Sequence, residues 1–384
     1  MTTQISVPAA SQAMPSESPI RVMLVDDSAV VRSLMVQVLA SDPDITVAAS
    51  AANGQLAVQL LRSSNVQVIL LDIEMPVMDG LTAIPKLLEI DPKVKIIIAS
   101  TLTQRNAEIS LKAMGLGAVD YIAKPTSPRD IGLEGDFRRE LLAKIKSHGM
   151  VRVKRPKPEP AADLRVRATS SPAPRPAQAT SPIALRKPGL NYPKVLAIGS
   201  STGGPQALLA FLRNVPKTIG VPIIVTQHMP ATFTAVLAQH LEKACGWPCK
   251  EGFDGAVLSP GTIHVAPGGY HMVIEGSSAQ LTARLTQTPP ENFCRPSVDP
   301  MMHSLVKAVG GHVLAVMLTG MGNDGLSGFR KVVDAGGTVI AQDEETSVVW
   351  GMPGAVATAG ICAAVLPLPE LAPYVVKFFE KTKL

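Results

Sequence analysis

Residues 195–205 read VLAIGSSTGGP: a short apolar run suited to a buried strand, a stretch of small and hydroxyl residues, and a proline fit to open a helix. A strand, a glycine-rich turn and a helix in that order can serve three chemistries. A phosphate-binding P-loop ends in Gly-Lys-Ser/Thr, and no lysine stands here. A dinucleotide turn needs G-x-G-x-x-G, but Ser201 occupies the place of the second glycine. The next apolar run, VPIIVTQHM, ends on Gln227 and His228 instead of an acid that would hold a ribose. What remains is Gly199-x-Ser201-x-Gly203, the form of a nucleophile elbow, in which small neighbours let a sharp turn expose the serine. At a helix N-terminus the adjoining N–H groups and the dipole can stabilise a developing oxyanion. Ser201 or Thr202 could equally do no more than cap the helix, and the motif alone does not separate the two.

A nucleophilic serine needs a base. His228 follows the next strand-like run and so falls at the same sheet edge as the elbow; His264 and His271 read as structural. The base in turn needs an orienting carboxylate. The run HVLAVMLT leads into Gly-Met-Gly-Asn-Asp-Gly (320–325), which makes Asp324 the better candidate, while Asp299 in RPSVDP stays open as a rival. An ordinary Asx turn would use Asp324 as well. A working site would set the Ser201 hydroxyl and the Asp324 carboxylate on opposite nitrogens of His228. The order Ser, His, Asp differs from the Ser, Asp, His of α/β-hydrolases and argues against a standard lipase or esterase fold.

Strand-like runs alternate with helical stretches through residues 194–384 and again through 20–140, which predicts two units of parallel sheet with helices on both faces. The length of 384 residues and 46% hydrophobic content suit two domains. Between them, residues 151–190 hold eight prolines and nine Lys/Arg against two acids, so the net charge of +5 resides in this stretch. Such composition predicts a flexible linker; with no aromatic or Gly-rich signature beside it, nucleic acid is not an expected partner. The division is then a tail (1–19), a first α/β domain (20–140), a basic Pro-rich linker (141–192) and a second α/β domain (193–384). Apolar runs stop well short of the roughly 20 residues of a membrane span, and residues 1–19 lack a signal peptide's basic and apolar regions. Four cysteines make no disulfide framework, and the C-x3-C spacing of Cys245 and Cys249 fits neither a redox pair nor zinc. A cytoplasmic protein is expected.

In the first domain Asp26 and Asp27 follow RVMLV, Asp72 follows VQVILL, Ser100 follows KIIIA, and Lys124 lies just past AVDYIA. Any one of these alone is an ordinary solvated loop group. Together they sit at consecutive strand ends, the edge where parallel sheets bind ligands. Three carboxylates gathered there repel one another unless a cation is bound, and carboxylates with water and phosphate oxygens are the habit of Mg2+. A carboxylate can then accept a phosphoryl group, whose oxygens Lys124 and Ser100 are suited to hold.

On these residues, with LLDIEMPVMDG (70–80) and YIAKP (121–125), the first domain resembles the response-regulator receiver, a flavodoxin-like doubly wound fold. The resemblance implies that a histidine kinase phosphorylates Asp72. It also implies Mg2+ on Asp27, Asp72 and the Glu74 backbone with Asp26 nearby, and Tyr121 as the switch aromatic. Pro85 departs from the pattern but is tolerable near the first turn of a helix. The second domain is similar to the catalytic domain of the chemotaxis protein-glutamate methylesterases, the CheB family. The similarity runs through IGSSTGGP, VTQHMP, IHVAPGGYHM, RPSVDP, MLTGMGNDG and IAQDEETSVVWGMPGA. The family turn has alanine where this chain has Ser200, leaving two adjacent serines; its register sets the nucleophile at Ser201, the base at His228 and the acid at Asp324. The resemblance implies a phosphorylation-activated serine hydrolase with no cofactor in the catalytic domain, a doubly wound α/β unit behind its receiver and linker. Its substrates would be glutamate methyl esters on methyl-accepting chemotaxis receptors, with release of methanol and deamidation of some glutamines. The backbone N–H groups of Thr202 and Met321 would hold the oxyanion. A non-catalytic, phosphorylation-gated binding protein, or the same esterase on a non-chemotaxis receptor array, are the alternatives.

Overall fold

The apolar runs become strands. The structure, a computed structural model, describes residues 18–124, 135–150 and 183–381. The first unit runs β1 (Ile20–Val25), α1 (Ala29–Ala40), β2 (Ile45–Ala51), α2 (Gly54–Leu61), β3 (Val68–Asp72), α3 (Gly80–Ile90), β4 (Lys95–Ser100), α4 (Gln104–Gly115), β5 (Asp120–Ala123) and α5 (Asp136–Met150). Its five parallel strands lie in the order β2-β1-β3-β4-β5, the doubly wound flavodoxin-like order. Helices cover both faces, so β3 is buried along its whole length and reads as an unbroken apolar run. Ser28, Asn53, Asp79 and Thr103 start the first four helices, each side chain accepting an N–H three residues on. Pro85 stands sixth in α3, in the second turn and not the first.

The second unit runs β6 (Val195–Ser200), α6 (Gly204–Leu212), β7 (Ile223–Gln227), α7 (Ala231–Cys245), β8 (Cys249–Glu251), β9 (Ile263–Val265), β10 (His271–Ser277), β11 (Gln280–Thr286), α8 (Val298–Val309), β12 (Val313–Met317), α9 (Leu326–Asp334), β13 (Thr338–Gln342), α10 (Met352–Thr358), β14 (Ala364–Leu366) and α11 (Leu368–Lys381). Seven strands form a parallel sheet in the order β14-β13-β12-β6-β7-β9-β8. Leu196 and Ile198 of β6 pack into one hydrophobic layer, Val195 and Ala197 into the other, as the alternation of a strand buried on both faces requires.

Three expectations are corrected. Strands β10 and β11 leave the parallel pattern as a separate antiparallel hairpin, because so short a connection can join only antiparallel neighbours. The first domain does not end at residue 140: α5 continues to Met150, and Phe137, Leu141 and Ile145 lie in the core beside Ile20, Val22 and Leu24. Nor does the linker extend to 192. Arg186 N donates to Cys362 O (3.0 Å) and Gly189 N to Thr338 Oγ1 (2.9 Å), strapping residues 183–192 onto the second unit. Most of the expected tail and linker lies outside the described residues. Within them, no helix is long and apolar enough to cross a membrane.

The two units touch. Helix α4 packs on α6 and α7, Gln206 Nε2 donates to Ala118 O (3.0 Å), and the Tyr121 ring stacks on Phe233 with centroids 4.6 Å apart. From α5, the Arg139 guanidinium lies 4.1 Å over the Phe293 ring.

Candidate active site and phosphoryl-acceptor site

Strands β12, β6 and β7 are neighbours in the sheet, so the loops leaving their carboxyl ends share one rim. Ser201 leaves β6, His228 leaves β7, and Asp324 lies in the loop between β12 and α9. The elbow is tight. Gly203 has φ +74°, and a Cβ there would meet Val348 at 2.5 Å; a Cβ on Gly199 would meet Val298 at 2.9 Å. Only glycine fits both the left-handed turn and the space. The Ser201 N–H donates to Thr319 O (3.0 Å), while its carbonyl accepts from Gly204 N (2.7 Å) and Gln227 Nε2 (2.9 Å). Thr319 Oγ1 donates to Thr202 O at 3.0 Å and so grips the next residue too.

The adjacent serines have different fates. Ser200 is buried and its hydroxyl donates to Gln227 Oε1 (2.7 Å). Ser201 is half-buried, and its hydroxyl has no hydrogen-bond partner among the described residues. The backbone N–H groups of Thr202 and Met321 likewise have no acceptor among those residues.

His228 and Asp324 meet: Nε2 lies 2.6 Å from Asp324 Oδ2. Asp324 is buried and accepts further from Val298 N (2.6 Å), Ser297 Oγ (2.6 Å), Asn292 Nδ2 (3.1 Å) and Asp299 N (3.3 Å). Burial alone would raise its pKa, but the bonds from His228, Ser297 and Val298 outweigh burial and take it down to about 2. Asp299 does not approach His228. It accepts from Gly328 N (2.6 Å) and Asn292 Nδ2 (3.3 Å), and burial pushes its carboxyl up. His264 is buried with neither ring nitrogen partnered among the described residues, and burial pushes it down to about 4; His271 is tied to Pro289 O and Ser297 N.

One expectation fails in part. The second nitrogen of His228 does not meet the Ser201 hydroxyl; Nδ1 meets Cys294 Sγ at 3.3 Å. Burial would lower the His228 pKa, yet Cys294 and Asp324 outweigh it and hold the ring up to about 10. Cys294, Asn292, Ser297, Gln227 and Thr319 are absent from the sequence-derived candidates. The motif RPSVDP carries Ser297, but only folding brings that loop against Asp324.

In the first unit the carboxylates gather as the strand ends suggest. One oxygen from each of Asp26, Asp27 and Asp72 lies within 4.8 Å of the others, with Asp27 exposed and the other two buried. Lys124 Nζ bridges Asp26 Oδ2 (2.6 Å) and Asp72 Oδ2 (2.8 Å). Burial raises the Asp72 pKa more than Lys124 lowers it, while the two carboxylates overcome burial and raise that of Lys124. Hard oxygen donors with one open side fit a small divalent cation that keeps several waters. Ser100 is buried beside this edge on β4. Glu74 is exposed, and its side chain faces Arg105 at 3.9 Å. Tyr121 is buried in its stack on Phe233.

Comparison with known proteins agrees with both halves. Residues 196–375 match the family described as CheB methylesterase, and residues 22–133 the response regulator receiver domain. The chain is 52% identical over 369 residues to protein-glutamate methylesterase/protein-glutamine glutaminase 1 of Paramagnetospirillum magneticum, covering 94% of this chain and 97% of that protein. It is 53% identical over 374 residues to the protein-glutamate methylesterase/protein-glutamine glutaminase of Azospirillum brasilense, covering 94% and 93%. Among solved structures, the CheB methylesterase catalytic domain of Thermotoga maritima matches with 39% identity, 49% of this chain, 98% of that chain and a TM-score of 0.47. The response regulator domain of the same organism's CheB matches with 35% identity, 34% and 97% coverage and a TM-score of 0.30. With a receiver domain ahead of the esterase domain and about half of its residues identical to such relatives over 94% of its length, the chain belongs to the CheB methylesterase family.

Proposed function

We propose that the chain is a phosphorylation-activated serine hydrolase that removes methyl groups from glutamate γ-methyl esters of chemotaxis receptors, and ammonia from certain receptor glutamines. The observation that carries the proposal is the meeting at one sheet rim of an elbow serine, a histidine and a buried, many-bonded aspartate that holds that histidine at 2.6 Å. In the working state Ser201 Oγ attacks the ester carbonyl as His228 takes its proton, and Asp324 steadies the imidazolium. The Thr202 and Met321 N–H groups, with no acceptor among the described residues, can donate to the oxyanion. His228 returns the proton to the departing methoxide, methanol leaves, and a water, activated by the same ring, releases the glutamate carboxylate. With a glutamine the leaving group is ammonia. Relatives named as enzymes give no support to a purely binding role.

Control runs through the receiver, whose phosphorylation is Mg2+-dependent and supplied by a histidine kinase. Asp26, Asp27 and Asp72 with the Glu74 backbone would hold Mg2+, which supplies charge neutralisation for phosphoryl transfer to Asp72. Lys124 and Ser100 then meet the phosphoryl oxygens, drawing Lys124 from its bridge, and Tyr121 relays the change to its stack on Phe233. A family receiver covers its catalytic cleft until phosphorylated, and the α4–α7 contact suits that role. Deleting residues 1–182, which spares the 183–192 strap, should raise basal esterase activity. The decisive assay is methanol release from methylated receptors: Ser201→Ala abolishes it, and full retention would refute the proposal.

A further inference from the structure

Residues 291–294 form a loop that reaches both units. Backbone bonds between Glu291 and Cys294 (2.9 and 3.1 Å) close it, and Asn292 and Phe293 between them hold left-handed φ of 51° and 63°. Residues with side chains keep such backbone only where surrounding contacts over-determine it. Asn292 Nδ2 donates to Asp324 Oδ1 (3.1 Å) and Asp299 Oδ2 (3.3 Å). Phe293, otherwise exposed, lies under Arg139 of the receiver unit at 4.1 Å. Cys294 Sγ sits 3.3 Å from His228 Nδ1. Three successive residues therefore touch the acid, the receiver and the base.

His228 Nε2 is committed to Asp324, so Nδ1 is the nitrogen left to accept the Ser201 proton. We propose that Cys294 is a positioning residue that occupies His228 Nδ1 while the receiver is docked, and that the 291–294 loop, held at Phe293 by Arg139, ties docking to availability of the base. A thiol is a weak hydrogen-bonding group, so its hold is a bias that the Ser201 hydroxyl can overcome once the loop is released. Withdrawal of the receiver removes Arg139 from Phe293, and the left-handed pair then has one support fewer. This rests on the hydrolytic reading of Ser201, His228 and Asp324.

The test uses the full chain, with methanol release from methylated receptor membranes measured with and without Mg2+ and beryllofluoride as phosphoryl mimic. Cys294→Ala should raise the unactivated rate about 3- to 10-fold, the scale of one modest hydrogen bond, and change the activated rate less than twofold. Cys294→Ser, which keeps a small polar group, should retain most of the restraint. Phe293→Ala should act like Cys294→Ala, and the double variant should not exceed the larger single effect. An unchanged ratio of activated to unactivated rate, or an equal fall of both rates, overturns the proposal. Should Cys294→Ala fail to fold, the exposed Phe293→Ala decides by the same ratio. Activity retained by Ser201→Ala would refute the hydrolytic reading; activity lost there with the ratio unmoved in the loop variants would refute this proposal alone.

Discussion

Replacing Asp324 by asparagine changes one oxygen to an amide and removes one charge, and its consequences can be worked out bond by bond. Oδ2 receives His228 Nε2 and Val298 N; Oδ1 receives Ser297 Oγ, Asn292 Nδ2 and Asp299 N. An asparagine NH2 in the Oδ2 position faces the Val298 N–H donor; in the Oδ1 position it faces the Asp299 N–H and the Asn292 amide. Either way a buried N–H loses its acceptor, which costs about 1–3 kcal/mol. The charge gives a second measure of the same bonds. A carboxyl at about 2 when folded, against an ordinary value of 3.8, contributes about 2 kcal/mol above the unfolded pKa. Because the folded value is the lower one, this stability is present above pH ~4 and lost as pH falls toward the folded value. The two measures overlap, so Asp324→Asn should cost about 2–4 kcal/mol in urea unfolding at neutral pH and make the acid limb below pH ~4 shallower, leaving the part that buried Asp120, also held at about 2, contributes. For catalysis the loss is larger: without a carboxylate to fix and charge-balance the imidazole, kcat should fall by about 10^4. Methanol release from activated, fully folded protein at low temperature separates the two effects. Asp324→Asn within tenfold of the parent rate, or with unaltered urea stability, would refute the assignment of the acid.

Three further outcomes follow from the same geometry. Ser201→Ala should lose labelling by a fluorophosphonate while Ser200→Ala keeps it; Ser200→Ala should instead destabilise by about 1–3 kcal/mol, because buried Gln227 Oε1 loses its donor. Gly203→Ala must place a side chain at φ +74° against Val348, so it should cost at least about 1–2 kcal/mol and most of the activity, seen as a lowered Tm and slowed methanol release. His228, raised when folded from 6.5 to about 10, contributes stability that is fully present below pH ~6.5 and lost as pH rises toward the folded value. Unfolding free energy measured from pH 6 to 10 should therefore decline, and His228→Gln should flatten that decline.

Much of this architecture is legible in local sequence. RVMLV, VQVILL and KIIIA are strands because a sheet covered on both faces needs unbroken apolar runs, and Asp26, Asp72 and Ser100 are then carried to one edge by parallel strand direction alone. The same rule carries Ser201, His228 and Asp324 to a common rim, since β6, β7 and β12 end together. The elbow is legible for a steric reason: Gly199 and Gly203 mark the places where no Cβ fits. Strands β8 and β14, three residues each, escape notice because so short a run has no periodicity to detect. The end of the first domain is misplaced because the helix α5 is polar on most of its length, and its buried positions include Lys144 and His148 beside Phe137, Leu141 and Ile145 of the core.

Sequence by itself determined the order of strands and helices, the glycine turn and the charged strand ends, because each depends on neighbours in the chain. Tertiary structure alone decided which serine is tied to Gln227 and which has no partner among the described residues, and which aspartate reaches His228. It also set a cysteine 66 residues away against the other nitrogen of that ring. Hydrogen bonds between distant loops act over about 3 Å, and nothing in the linear spacing of two residues fixes a separation on that scale.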